Sequence, residues 1–253
     1  MIEYIEHHIV DHCNLNCASC THFSPLADPW FETIEQFEKD FSELARRTNV
    51  RKIRILGGEP LLHPQVGQFL TLTRELFPES EIQLVTNGVL LAQRKEELMP
   101  ICNSSHIIVF VTDYKLGFNL QEVLDGFWKV IVDPRLEMYN PSLDLTGAQD
   151  IDKVFYDCEY YKFKCYYYQN GRFYLCSICA NIHYFNKFFN KQIGTEEELE
   201  QMSISIYDHS IDEIKNFLSH PIAMCRYCNI DKRFKSFHDF YRSKKEISEW
   251  TYQ

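Results

Sequence analysis

The sequence has no stretch of about eighteen consecutive apolar residues, so no membrane-spanning helix is expected. Its opening residues, MIEYIEHHIVDHC, lack the basic and apolar segments of a secretory signal. The expectation is a protein of the reducing cytoplasm. Basic side chains are the scarcer sign: 26 Lys and Arg against 36 Asp and Glu give a formal charge of −10. Nucleic acid and membrane are thereby excluded as main partners, because both demand a dense basic surface. One segment runs against that balance, with Lys232, Arg233, Lys235, Arg242, Lys244 and Lys245. It reads as a solvated helix face; the sharper alternative is a patch that steers an anionic substrate. No internal repeat and no low-complexity linker is present, and no cysteine lies between Cys20 and Cys102.

Elsewhere cysteine is plentiful. Ten cysteines without an export signal point to metal ligation rather than disulfides. Three of them crowd into CNLNCASC, as Cys13-x3-Cys17-x2-Cys20. A structural zinc takes four ligands, and a four-iron cluster held wholly by protein also takes four. The triplet is one short. It is either part of a zinc site completed by a distant His or Cys, or a cluster with one iron left open. Aromatic residues make up 15% of the chain, and many fall between Tyr156 and Tyr174, as a shell around something buried or as a second small core.

Strand and helix patterns alternate along the first half. EYIEHHIVDHC reads as a strand entering the cysteine loop. Thr33-Ile-Glu-Gln36 is a capping box, followed by Ile34, Phe37, Phe41, Leu44 and Ala45 at helical spacing. VRKIRILGG, EIQLVTNG, SHIIVFVTD and WKVIVDP read as further strands, separated by helices over HPQVGQFLTLTRELFP, Leu90 to Met99 and Asn119 to Gly126. Such alternation predicts an α/β fold with a parallel sheet and right-handed crossovers. Chemistry in such sheets gathers at the carboxyl ends of the strands. The cysteine triplet, Gly57-Gly58-Glu59-Pro60, Thr86-Asn87-Gly88, Asp113 and Asp133 all stand there. Residues 134–150 are turn-rich and a boundary is expected near 150. Beyond it, CYYYQNGRFYLC predicts a hairpin turning at Asn170-Gly171, TEEELEQM a short acidic helix, and Ser210-Ile-Asp-Glu213 a capped helix leading to Cys225-x2-Cys228.

The triplet after a first strand, with GGEP closing the second, resembles the radical S-adenosylmethionine (SAM) superfamily. The resemblance covers about residues 1–135 and implies a partial (β/α) barrel of about five to six parallel strands, assigned to residues 1–150 as the radical SAM core. It implies a [4Fe-4S] cluster on Cys13, Cys17 and Cys20, whose open iron chelates SAM. Reduction, by a donor such as flavodoxin or ferredoxin, then yields a 5′-deoxyadenosyl radical that abstracts hydrogen from a C–H bond. By the same resemblance Gly57, Gly58, Glu59 and Pro60 receive the SAM ammonium, Thr86 and Asn87 line the SAM or substrate cavity, and Asp113 meets the ribose. Most relatives place an aromatic before the third cysteine to pack the adenine. Ser19 stands there in this chain; Phe23 is one candidate substitute, and the adenine contact stays open.

The remaining cysteines suggest a second site. Cys165 and Cys176 occupy opposite arms of the hairpin, and Cys225 with Cys228 adds a chelating pair. The layout resembles the twitch domain, a shortened SPASM domain. That implies a second, auxiliary [4Fe-4S] cluster in a small β-hairpin/helix domain over residues 151–253. A zinc ribbon on the same four thiols is the alternative, and Cys179 competes with Cys176 as ligand. Cys102 reads as a buried apolar residue. Cys158 reads as a core thiol or a hydrogen donor. Arg135, after the fifth strand, is a candidate proton acceptor or substrate clamp, or else a surface arginine. His8 and His12 share a strand face with Glu6; they and His22 either touch substrate or serve structure, as does His7 nearby.

A closed second cluster has electron transfer as its natural use, which favours oxidation of a carbinol C–H on a small-molecule substrate such as a sugar or cyclitol. Length and cysteine layout resemble the 2-deoxy-scyllo-inosamine dehydrogenases of aminocyclitol antibiotic synthesis. The alternatives are a radical epimerase, with Cys158 or Cys179 returning hydrogen, and peptide modification. A peptide-modifying enzyme is expected to carry a leader-binding segment ahead of its cysteines, and Cys13 leaves no room for one. A non-catalytic metal-binding protein stands last.

Overall fold

The computed structural model describes residues 1–117, 119–134 and 138–252. It divides into two compact units, Met1–Leu15 with Pro29–Leu136, and Asn16–Asp28 with Glu137–Gln253. The chain therefore crosses between units inside the cysteine loop as well as after Leu136.

The first unit runs β1 (Ile2–His8), α1 (Ile34–Arg47), β2 (Val50–Leu56), α2 (Val66–Leu76), β3 (Glu81–Thr86), α3 (Leu91–Ser104), β4 (Ile108–Asp113), α4 (Leu120–Leu124) and β5 (Val130–Pro134). The strands pair in parallel in the order β5-β4-β3-β2-β1, the parallel α/β sheet that the alternation predicts, consistent with the partial barrel that the resemblance implies. Its strand ends gather the candidate residues. The Thr33 side chain accepts a hydrogen bond from the Gln36 backbone N–H at 3.2 Å and starts α1. Phe37, Phe41 and Leu44 recur on one face of that helix, and all are fully buried. His7 on β1 meets Phe37 and Phe41 edge-on at 5.1 and 4.9 Å, so the Ile5–His7 side of the strand packs on α1.

One boundary departs from expectation. The sequence pattern ends the third helix at Met99, before Pro100, yet α3 continues to Ser104. Proline removes one intrahelical bond. Leu98 and Cys102 lie four residues apart on one face, and their full burial carries the helix across the gap.

The second unit contains β6 (Met138–Tyr139), α5 (Ile151–Asp157), α6 (Glu159–Lys162), β7 (Cys165–Gln169), β8 (Arg172–Tyr174), α7 (Ser177–Phe189), α8 (Glu196–Glu200), β9 (Ser203–Ser205), α9 (Ile211–Leu218), α10 (Ile230–Arg233) and β10 (Phe237–His238). The hairpin β7–β8 turns where expected, with Asn170 and Gly171 both at positive φ (52° and 67°), as a tight hairpin turn requires. Helix α7 has no counterpart in the sequence reading. Its signal was present: Ile178, Ile182, Phe185 and Phe189 recur at helical spacing, and Asn190 closes the helix in the left-handed conformation. With Phe23 and Trp250, α7 builds the core of this unit. Among the described residues no helix is long and apolar enough to cross a membrane.

Phe41→Ala should lower the stability of the first unit by about 3–5 kcal/mol, the cost of emptying a fully buried aromatic site. Urea unfolding followed by circular dichroism measures it; an unchanged midpoint would remove Phe41 from the core.

Candidate functional site

The carboxyl ends of β1 and β2 are bound together by backbone. The Gly58 N–H donates to the Val10 carbonyl at 2.8 Å, and the Glu59 N–H donates to the His12 carbonyl at 3.2 Å. A Cβ on Gly57 would stand 2.1 Å from the Val10 oxygen, and one on Gly58 would stand 2.2 Å from the His12 oxygen. The glycines are therefore required by the neighbouring strand end, and they seat GGEP directly against the entry to the cysteine loop.

Glu59 then ties the next strand. Its fully buried carboxyl group accepts from the Leu61 N–H at 3.0 Å, the Thr86 hydroxyl at 2.6 Å and the Asn87 N–H at 2.9 Å. Burial pushes its pKa up to about 7 against these three donors. Thr86 also accepts from the Gly88 N–H at 3.0 Å. The Asn87 amide donates to Asn14 Oδ1 at 2.7 Å and reaches Cys13 Sγ at 3.8 Å, while the Leu15 N–H reaches the same sulfur at 3.4 Å. Pro60 opens a single 3₁₀ turn through Leu62. Asp113 stands at the end of β4, but its carboxylate is held by the Lys115 N–H and Nζ at 2.8 and 2.7 Å, and Lys115 keeps it below the usual carboxylate range. Arg135 lies outside the described residues.

The histidines of the first unit are engaged within it. His8 Nδ1 meets Asp11 at 2.7 Å, and both residues are buried. His12 packs edge-on against Phe31 at 5.0 Å with its buried Nδ1 unpartnered; burial lowers its pKa against the pull of Asp11. Glu6 accepts from the Tyr4 hydroxyl at 2.6 Å and pairs with Arg54 at 3.6 Å.

Cys17 and Cys20 belong to the second unit, where the tail of the chain holds their loop. The Ala18 N–H donates to the Tyr241 carbonyl at 3.0 Å and the Ser243 N–H to the Asn16 carbonyl at 2.8 Å. Trp250 Nε1 donates to the Cys20 carbonyl at 2.9 Å, and His238 bonds the Ser19 hydroxyl at 3.0 Å. Three non-glycine residues in this loop have positive φ: Asn16 (52°), Ser19 (59°) and Phe23 (54°). Phe23, the candidate substitute for the adenine contact, lies in the core of this unit. Phe23 is fully buried against Phe185 and Trp250, at 5.8 and 6.3 Å between ring centres. Burial raises the Cys20 thiol, opposed by the backbone N–H groups of Ser24, His22 and Phe23 aimed at it. N–H groups are thus directed at the Cys13 sulfur within the first unit and at the Cys20 sulfur within the second.

A second collection of thiols lies wholly within the second unit. Cys158, Cys176, Cys179, Cys225 and Cys228 line one cavity together with Arg233. Cys165, expected there, is not among the lining residues, whereas its neighbour Tyr166 is. Cys158, read from the sequence as a core thiol or hydrogen donor, takes the place beside Cys176. Cys176 is the N-cap of α7 and accepts from the Cys179 N–H at 3.5 Å. A hydrogen bond from the Cys179 thiol holds Cys176 down at about 7, while burial pushes Cys228 up to about 11 and raises Cys158 and Cys225. Among the described residues no group of three or more His, Cys, Asp or Glu is placed to hold a metal ion as it stands. The donor set nonetheless suits an iron–sulfur cluster: soft ligands, a partly apolar wall and one fixed cation. Arg233 is a second correction, since its run of charges reads as solvated in sequence while the residue is 3% exposed. Cys102 is fully buried and pushed up to about 12, the apolar core residue expected.

The raised pKa of Glu59 has a pH signature. A carboxyl group that titrates near 7 folded and 4.5 unfolded adds stability below pH 4.5 that is lost as pH rises to 7. In the SAM-free protein the loss should be on the order of 3 kcal/mol. Glu59→Gln should be less stable overall and should lose this slope; urea midpoints at pH 5 and pH 8 decide, and equal slopes in both proteins would refute the assignment.

The model of the Radical SAM superfamily matches residues 8–111. The GTP 3′,8-cyclase of Sulfurovum sp. (strain NBC37-1) is 31% identical over 99 residues, 38% of this chain and 30% of that enzyme. The GTP 3′,8-cyclase of Helicobacter pylori (strain ATCC 700392 / 26695) is 34% identical over 102 residues, 39% of this chain and 31% of that enzyme. These matches thus span about a third of those curated relatives' length. Among solved structures, BtrN in complex with AdoMet and 2-DOIA is similar with a TM-score of 0.55 and 18% identity, covering 90% of this chain and 93% of that one. At that identity the likeness speaks to the fold. Cys13, Cys17 and Cys20 and the GGEP turn all fall within the span, residues 8–111, that is similar to the Radical SAM superfamily.

Proposed function

We propose that this chain is a radical SAM oxidoreductase that oxidises a carbinol C–H of a small sugar, cyclitol or related metabolite. The observation that carries the reading is the cavity lined by Cys158, Cys176, Cys179, Cys225 and Cys228 in a chain with a radical SAM domain. When bound, SAM and its cluster supply a hydrogen-abstracting radical, and a second cluster supplies a one-electron acceptor. Cys13, Cys17 and Cys20 hold the first cluster, with the Asn87 amide and the Leu15 N–H directed at the Cys13 sulfur. Gly57, Gly58, Glu59, Pro60, Thr86, Asn87 and Asp113 form the SAM side of the site. Cys158, Cys176, Cys225 and Cys228 hold the second cluster, and Cys179 supports Cys176 through its N–H. A set of four thiolates leaves no corner for substrate, and this is what favours electron transfer and therefore oxidation over epimerisation.

A second reading has a specific observation behind it. The sequence likeness to GTP 3′,8-cyclases, 31% over 99 residues, points to a purine nucleotide as substrate. 5′-Deoxyadenosine formation that depends on GTP, and not on polyols or aminocyclitols, would select it.

Reconstituted anaerobically, the protein should bind about eight irons per chain; zinc in their place would support the ribbon. Replacing Cys13, Cys17 and Cys20 with Ala should leave about four irons and abolish 5′-deoxyadenosine formation on reduction. Deoxyadenosine from that variant would sink the assignment. Cys158→Ala should lose the second cluster and ketone formation, whereas Cys165→Ala should keep both; the opposite pattern would restore the hairpin pair as ligands. Product formed in deuterated water should carry no new carbon-bound deuterium. Stoichiometric deuterium in an isomeric product would mean epimerisation.

A further inference from the structure

Arg233 ends α10 and is 3% exposed. Its Nε donates to the Pro141 carbonyl at 3.1 Å, while Nη2 is buried without a hydrogen-bond partner. Among the described residues it pairs with no carboxylate. A further partner is the Cys228 thiol, which the guanidinium draws down; a buried charge without a carboxylate partner is costly, several kcal/mol after relaxation. A guanidinium cannot escape that cost by losing its proton. What Arg233 faces is the thiol cavity, whose wall it shares with Cys158, Cys176, Cys225 and Cys228.

We propose that Arg233 is the built-in counter-charge of the second iron–sulfur cluster, setting its reduction potential so that it accepts the electron released by substrate. The proposal rests on the reading of those four cysteines as ligands. Four thiolates around a four-iron core carry net negative charge, and each added electron makes it more negative. A fixed cation in a low-dielectric wall therefore stabilises the reduced form more than the oxidised one.

The test compares the reconstituted holoprotein with Arg233→Gln and Arg233→Lys, by iron content and by reduction potential from spectroscopically monitored titration. The SAM-binding cluster is told apart by the spectral change when SAM is added. Arg233→Gln should shift the one-electron equilibrium of the second cluster at least tenfold toward the oxidised form, about 59 mV more negative. Arg233→Lys, which keeps the charge, should recover most of the shift. Loss of the cluster in the Gln variant with retention in the Lys variant would support the same conclusion. A Gln variant with full iron and an unchanged potential would overturn it. So would a Lys variant that behaves like Gln, or loss of the cluster from both, since shape rather than charge would then matter. About four irons in the unsubstituted protein, without a second signal, would instead retire the ligand assignment itself.

Discussion

The close approach of residues 57 and 58 to the Val10 and His12 carbonyls is the constraint on which the first unit's site depends. A side chain at Gly58 would have to part the ends of β1 and β2, because its Cβ would lie 2.2 Å from a backbone oxygen that cannot rotate away. With the strand ends closed, the Glu59 N–H finds the His12 carbonyl and its carboxyl group is aimed at β3. Asn87 is thereby fixed within reach of Cys13. Three strand ends become one hydrogen-bonded body, which is how a site is held to sub-ångström tolerance.

The cysteine loop of the second unit obeys a different logic. Asn16, Ser19 and Phe23 hold positive φ, each costing on the order of 1–3 kcal/mol. Such strain persists where surroundings over-determine the backbone, and here bonds from Tyr241, Ser243 and Trp250 do so. Phe23 also offsets its own strain by full burial in the α7 core. The sequence pattern suggested an adenine contact for Phe23 because aromatics near that loop are recruited for stacking in relatives; the core claimed it instead.

Much of this was legible from the chain alone. The parallel sheet followed from periodicity, α1 from Thr33, and the hairpin from Asn170-Gly171. The cysteine triplet and GGEP carried the resemblance to the Radical SAM superfamily that the match over residues 8–111 repeats. What escaped was set by geometry that spacing cannot encode. That Cys158, and not Cys165, lines the cavity with Cys176 is a result of tertiary packing that the hairpin spacing does not show. Arg233 looked like part of a solvated charge run because sequence shows composition, not which member of the run is turned inward. Helix α3 passed Pro100 because tertiary burial outweighed a local breaker. Helix α7 went unseen because its aromatic and β-branched residues are weak helix formers, and its cap is a cysteine rather than the usual Ser or Asp.

The bond from Trp250 to the Cys20 carbonyl spans 230 residues of sequence. A loop that needs this bond and those from Tyr241 and Ser243 cannot settle while the chain is still being made. Until residues 241–250 have emerged from the ribosome, Asn16, Ser19 and Phe23 are free to relax toward ordinary backbone, with Cys17 and Cys20 carried along. The backbone of the loop is thereby settled after these distant residues are made and not as the loop itself is made.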